Sequence, residues 1–496
     1  MKYIGPFFRM NSLSQEEICG QLFHFSKESI KSLVLNSRCG CISPLRNSKK
    51  DSSLEKLGIQ KYSPLLCIYK KASPVFIHNK ASQGFDSSSF KREINPSTNA
   101  LMTMSVLELS DYYSRFSDDS NEKALDKFFK NISKEQLEFY YNNLRNNEGI
   151  FVTKKNIFST SNKDANLIDK DRKFVFSDQA FMMTAYYMHS LVTSDDETKK
   201  DYENFSNQIL QMFIDYKDAL YDLSFDEGCK TLIAFNIFFS YSNNQTIIPL
   251  ITDLCEFLTN KFNEKDYYVN SFDSCCIFAI NLMYSYEHTG LFMFKEKCDE
   301  IMEKLISLYN EEENIIQKLT DKKEIKYSSF DITFYFLAIV LYSTKTYKSK
   351  EYKNMISNIY KKYILNSGII TSWPKAPTLD DKERYKKFTT LSKDMLDETF
   401  FSMPNLTSPE ENGIASIILK GITYSPKKDK FETPKKTFDS SKNMFILFLF
   451  LFMLKDNFYD CLSLNEEESQ VSSEPVTDED ETEYVNAEIV TETIPN

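Results

Sequence analysis

The sequence predicts a mainly α protein whose helical hairpins repeat and close into a ring. The first sign is a short signature, a hydroxyl residue followed by an aromatic and an Asp. It recurs as Ser224-Phe225-Asp226, Ser271-Phe272-Asp273, Ser329-Phe330-Asp331 and Thr437-Phe438-Asp439, with a shifted form at Phe176-Ser177-Asp178. Each copy precedes a run that is apolar on nearly all sides, such as 332–342 or 444–454, and a helix of that kind has to be enclosed. The second sign is spacing. The Asp residues stand at 178, 226, 273, 331 and 439, at intervals of 48, 47, 58 and 108. A period near 50 holds two helices of about 15 to 20 residues with their loops. The last interval is close to two periods, which suggests one unit without the signature, starting near Ser392 or Ser408. The third sign is composition: 41 Phe and 29 Tyr stand against 11 Gly and a single Trp, a balance suited to long bulky helices and not to turn-rich β structure.

Taken in order, residues 1–95 read as a small α+β cap. Ser14 with Glu17 forms a capping-box pattern for a helix over 14–24, Ser26 opens a second over 26–37, and 64–70 and 74–78 read as short strands around the turn at 71–73. The repeat region spans 96–464. Helices are expected at 98–115, 120–131, 134–145, 178–192, 203–221, 226–241, 247–262, 273–286, 292–309, 331–342, 350–365, 391–401, 409–422 and 440–458. Amphipathic members such as 203–221 alternate with all-apolar ones such as 331–342, so each hairpin has one outer and one inner helix. A straight solenoid would leave such apolar inner helices uncovered on one side, and a ring covers them.

Charge separates the C-terminus from the rest. Residues 466–496 hold eleven acids and no Lys or Arg. Without them the acids equal the 60 Lys and Arg, so the body is formally neutral and the tail carries the net −11. A neutral body gives no general attraction for nucleic acid or anionic membrane. Residues 465–496, rich in Ser, Thr, Glu and Val, are expected to be a disordered acidic tail. No apolar run reaches the roughly 18 residues of a membrane span. Ten cysteines, several inside apolar runs, suit a reduced, cytoplasmic protein.

This pattern over about 97–460 resembles the (α/α) toroid, the layout shared by six-hairpin glycosidases, polysaccharide lyases, terpenoid cyclases and lanthipeptide cyclases. The resemblance is one of architecture. Equivalent repeats would place Asp178, Asp226, Asp273, Asp331 and Asp439 around one mouth of the ring. Asp226, Glu227 and Asp273 are then the candidate catalytic carboxylates, because glycosidic cleavage needs one carboxyl held protonated and a second ionised. Asp178, Asp331, Asp439, Trp373 and Tyr284 are the candidate binding residues, the aromatics as platforms. The plainer reading of each Asp is a helix cap worth about 1 kcal/mol. Asp118-Asp119-Ser120-Asn121-Glu122 matches a diphosphate-binding acidic cluster only in letter, since it opens a polar helix. Cys39-Gly40-Cys41, with Cys19, His24 and Cys67, lacks the two-residue spacer of zinc knuckles. No glycine-rich phosphate loop or nucleophile elbow is present, so no metal and no cofactor is expected. The expectation is a helical-toroid protein that binds a peptide or protein as a scaffold. The alternative is a carbohydrate-active hydrolase or lyase working at the mouth.

Overall fold

Segments that are apolar all round have no face to offer water, and in the computed structural model each is surrounded by others of its kind. The structure describes residues 14–43, 63–78, 83–115, 120–157, 166–318, 324–375 and 412–471. The long helices among them are α1 (Gln15–Asn36), α2 (Pro96–Ser114), α3 (Ser120–Asn143), α4 (Phe176–Val192), α5 (Asp196–Asp215) and α6 (Phe225–Ser242). They continue as α7 (Ile248–Asn263), α8 (Phe272–Thr289), α9 (Phe292–Ser307), α10 (Ser329–Lys345), α11 (Ser349–Ile359) and α12 (Ser440–Val471). The even-numbered helices pack in succession, and α12 returns to α2, so the circuit closes. Helices α3, α5, α7, α9 and α11 each lie outside the even helix before them, and α1 lies outside α12. The fold is an (α/α) toroid of six hairpins.

The sequence accounts for the two layers. In α10 every residue from Ile332 to Ser343 is buried, whereas α5 buries Tyr202, Ser206, Ile209, Leu210 and Phe213, a single stripe at helical spacing. The Phe of the signature is a wedge. Phe225 packs 4.1 Å from Tyr267 and 5.3 Å from Phe278, and Phe272 packs 5.6 Å from Tyr335, so each pins its helix start to the next unit. The bore is filled with rings. Phe445 of α12 meets Phe181 of α4 and Phe330 and Phe334 of α10 at 5.6 to 5.8 Å, while Phe452 meets Tyr241 of α6 and Tyr284 of α8.

Several expectations change. The N-terminal segment that reads as a cap supplies the sixth outer helix, and its two expected helices are one. Ser26 sits mid-helix and returns its hydroxyl to the Leu22 carbonyl at 2.8 Å, so it does not start a new helix. Ser133 likewise bonds the Lys130 carbonyl inside a continuous α3, where two helices were expected. The strands near 64–70 and 74–78 exist but do not pair with each other: Leu65–Ile68 pairs with Gly40–Ile42, and Phe76–His78 with Gln83–Phe85. The described part of the expected 409–422 helix is extended. Ile414 and Ile418 bridge Val75 and Ile370, and Gly421–Ser425 joins an antiparallel sheet with Ile325–Ser328 and Lys430–Glu432. The β-branched Ile414, Ile417 and Ile418 suit that state, and a side chain at Gly421 would meet the Tyr327 carbonyl at 2.4 Å. The 391–401 helix, Asp118-Asp119 and the tail beyond Val471 lie outside the described residues. No helix among those described is long and apolar enough to cross a membrane.

Candidate functional site

The first four amides of a helix have no partner inside it, and a ring of parallel inner helices gathers six such ends at one mouth. Here neighbouring ends are stitched together by side chains. The Asp178 carboxylate at the start of α4 accepts the Ser97 amide of α2 at 3.0 Å, with Asn95 Nδ2 at 3.3 Å. Glu227 of α6 accepts the Ser177 amide of α4 at 2.9 Å. Asp226 accepts the Ser274 hydroxyl of α8. Thr98 of α2 donates to Ser441 of α12 at 3.0 Å, closing the circuit. Asp331 closes a capping box with Ser328 and pairs with Lys318 at 2.9 Å. Asp439 accepts the Lys442 amide at 3.4 Å and faces Lys71 at 3.8 Å.

Asp273 stands apart from these. Half-buried on α8, its carboxylate accepts one hydrogen bond, from the amide of the adjacent Ser274 at 3.1 Å. Burial, reinforced by the nearby Asp331 and Asp226 carboxylates, pushes its carboxyl above the usual range. Nearby, Lys442 rises from the first turn of α12. Its ammonium lies 3.9 Å over the Phe330 ring, and no carboxylate among the described residues is within ion-pair distance. Burial pulls its pKa down against the pull of Asp273, Asp439 and Asp331. Ser274 ties the arrangement together, because its amide holds Asp273 and its hydroxyl holds Asp226. Sequence reasoning missed Lys442. A lone cation in the first turn of an otherwise apolar helix opposes the helix dipole, and that was the available signal.

The mouth therefore brings together all five signature Asp residues and Glu227, and it leaves out the two aromatic candidates. Tyr284 lies in the last turns of α8, toward the opposite end of the ring, with Lys345 5.0 Å over its ring. Trp373 is 8% exposed and packs 5.0 Å from Phe25 of α1, so it is enclosed core and presents no platform. Among the cysteines, Cys41 and Cys67 face each other across antiparallel strands, both buried. No group of three or more His, Cys, Asp or Glu among the described residues is arranged to hold a metal ion.

Asp178 yields a stability prediction. Burial outweighs its hydrogen bonds and pushes its carboxyl up to about 6, against an unfolded value near 3.9. The folded state thus binds more protons between those two values, and stability falls as pH rises through that window. Asp178→Asn keeps an oxygen for the Ser97 amide and removes the charge. It is expected to be more stable than wild type at pH 7 by on the order of 2 kcal/mol, with the advantage gone near pH 4. Thermal unfolding of both proteins across that range is the check, and parallel curves would refute it.

No family model matches the sequence, and no curated protein matches it. Solved structures with a similar layout include a D-mannose isomerase, at 10% identity and TM-score 0.49, covering 86% of this chain and 97% of that one. Cellobiose 2-epimerase from Spirochaeta thermophila DSM 6192 is 9% identical at TM-score 0.49, with 90% and 97% covered. A cellulase of C. cellulolyticium in complex with cellobiose is 10% identical at TM-score 0.46, with 89% and 98% covered.

Proposed function

We propose that the protein is a carbohydrate-active enzyme that cleaves glycosidic bonds at the mouth formed by the inner-helix N-termini. The observation that carries this reading is the Ser274 bridge. One serine holds both Asp226 and Asp273, which keeps the two carboxyls no farther apart than the roughly 5 to 9.5 Å used by glycosidase pairs. Their environments differ as such a pair requires: Asp226 is exposed, while Asp273 is half-buried with its pKa raised. Asp273 is then the proton donor to the leaving oxygen, and Asp226 the carboxylate that activates water or attacks the sugar. Lys442, resting over Phe330 of the neighbouring α10, lies close enough to Asp273 to feel its charge. Glu227, the third carboxylate of the sequence-derived set, is committed to the Ser177 amide and serves the fold. The chemistry calls for no cofactor.

The test is release of reducing ends, or of chromophore, from a panel of oligosaccharides and aryl glycosides. Asp273→Asn and Asp226→Asn should each lower kcat/KM by about 100-fold or more with thermal unfolding unchanged or improved. Glu227→Gln should leave turnover within a few-fold. Asp273 has to be protonated to act, so the wild-type rate should fall as pH rises through its elevated pKa. Absence of turnover across the panel, or equal activity in the Asp273→Asn protein, would sink the proposal.

A further inference from the structure

A cavity of about 610 Å3 lies on the outer wall between α3 and α5, well within the size range of small-molecule sites. Its floor is a set of interlocked rings. Tyr186, from the inner helix α4, stacks on Tyr202 at 5.9 Å and meets Phe205 edge-on at 4.6 Å, and Phe205 meets Tyr141 edge-on at 5.2 Å. Tyr141 nevertheless leaves 46% of its surface to water. The Arg145 guanidinium, 4.4 Å from its ring centroid, holds that ring in place. An exposed aromatic that is fixed on one side is a preformed platform, which binds without first losing rotamer freedom.

The rim is polar and unspent. Asn142, Asn204 and Gln208 are exposed, and their side-chain amides make no hydrogen bond within the described residues. Each offers both donors and an acceptor, the combination that matches neighbouring hydroxyl groups. Charge is balanced: Lys134 and Arg145 stand against Glu138 and Asp201. That balance gives no attraction for a nucleic acid or an anionic lipid surface. A broken apolar floor ringed by amides also does not match the continuous apolar stripe of a docking helix.

We infer that this outer groove is a binding site for short neutral oligosaccharides, separate from the mouth. Tyr141 takes the sugar's C–H face, and the three amides take its hydroxyls. The groove's own carboxylates, Glu138 and Asp201, are both exposed at the rim, and the site holds its ligand without changing it. It is independent of Asp273, so it stands even where the mouth has no activity.

The experiment uses the full chain and three probes, maltotriose, cellotriose and xylotriose, with calorimetry and hydrogen–deuterium exchange read together. At least one trisaccharide is expected to bind and to slow exchange over 134–145 and 198–208. Asp273→Asn should leave that protection unchanged. Tyr141→Ala and Asn204→Ala should each weaken it by about tenfold, the loss of one ring contact or one bidentate amide. Asn204 is exposed, so its variant keeps the test valid even where the Tyr141 change disturbs packing. No protection of the two segments by any probe, protection confined to the mouth, or unchanged affinity in both groove variants would overturn the inference.

Discussion

Replacing Phe445 by alanine should lower the unfolding free energy by about 4 kcal/mol, near the upper end for a single aromatic deletion. Phe445 is 6% exposed and touches rings on two inner helices other than its own, Phe181 of α4 and Phe330 and Phe334 of α10. Those helices face one another across the bore and no outer helix can fill the space between them, so the cavity left behind has little means of collapse. Phe445→Leu keeps most of the volume and should cost about 1 to 2 kcal/mol. Urea unfolding of the three proteins is the measurement. A loss below 1 kcal/mol for the alanine variant would mean that the bore tolerates an empty centre. The same change would loosen Phe330, on which the Lys442 ammonium rests, so the mouth should lose substrate affinity along with stability.

That coupling between filler and mouth was only partly legible in the sequence. The signature located five of the six inner helices, because a wedge Phe and a carboxylate are local requirements of a buried helix start. The unit without the signature, expected to start near Ser392 or Ser408, is instead α2 at the other side of the repeat, which Asn95 and Pro96 begin, the Asn capping Thr98 and the Pro supplying a preset first turn. The contact of α1 with α10 and the segment after α11 was invisible. Gln15 donates to Thr344 at 2.8 Å and Tyr360 to Gln21 at 2.6 Å, pairings more than 320 residues apart that no periodicity encodes. At the mouth, Asp226 and Asp273 were readable from position alone. Their difference was not, because it depends on which helix end supplies Ser274 and on burial. Trp373 misled because rarity says nothing of exposure, and a large ring is as useful inside a core as on a platform.

At the far end of the ring, Lys455→Met should cost about 3 to 5 kcal/mol, the price of leaving a buried carboxylate without its cation. Lys455 of α12 reaches Glu108 of α2 at 3.2 Å, and Tyr241 of α6 donates to the same carboxylate from across the bore. Glu108 is 4% exposed, and burial already pushes its carboxyl above the usual range. Without Lys455 that shift grows and the folded state takes up a proton that the unfolded state does not. Stability of the variant should therefore recover as pH falls through the window between the unfolded and folded values. Glu108→Leu combined with Lys455→Met removes both charges, and adding Tyr241→Phe removes the hydroxyl that would be left alone. The triple variant should come back to within about 1 to 2 kcal/mol of wild type, since a buried ion pair is often matched by apolar side chains of similar volume. A mutant cycle in urea separates the outcomes. Should Lys455→Met alone cost under 1 kcal/mol, the pair is hydrated and the far mouth is open. Should the triple variant stay as unstable as the single, the cluster fixes the ring's geometry beyond balancing its own charges.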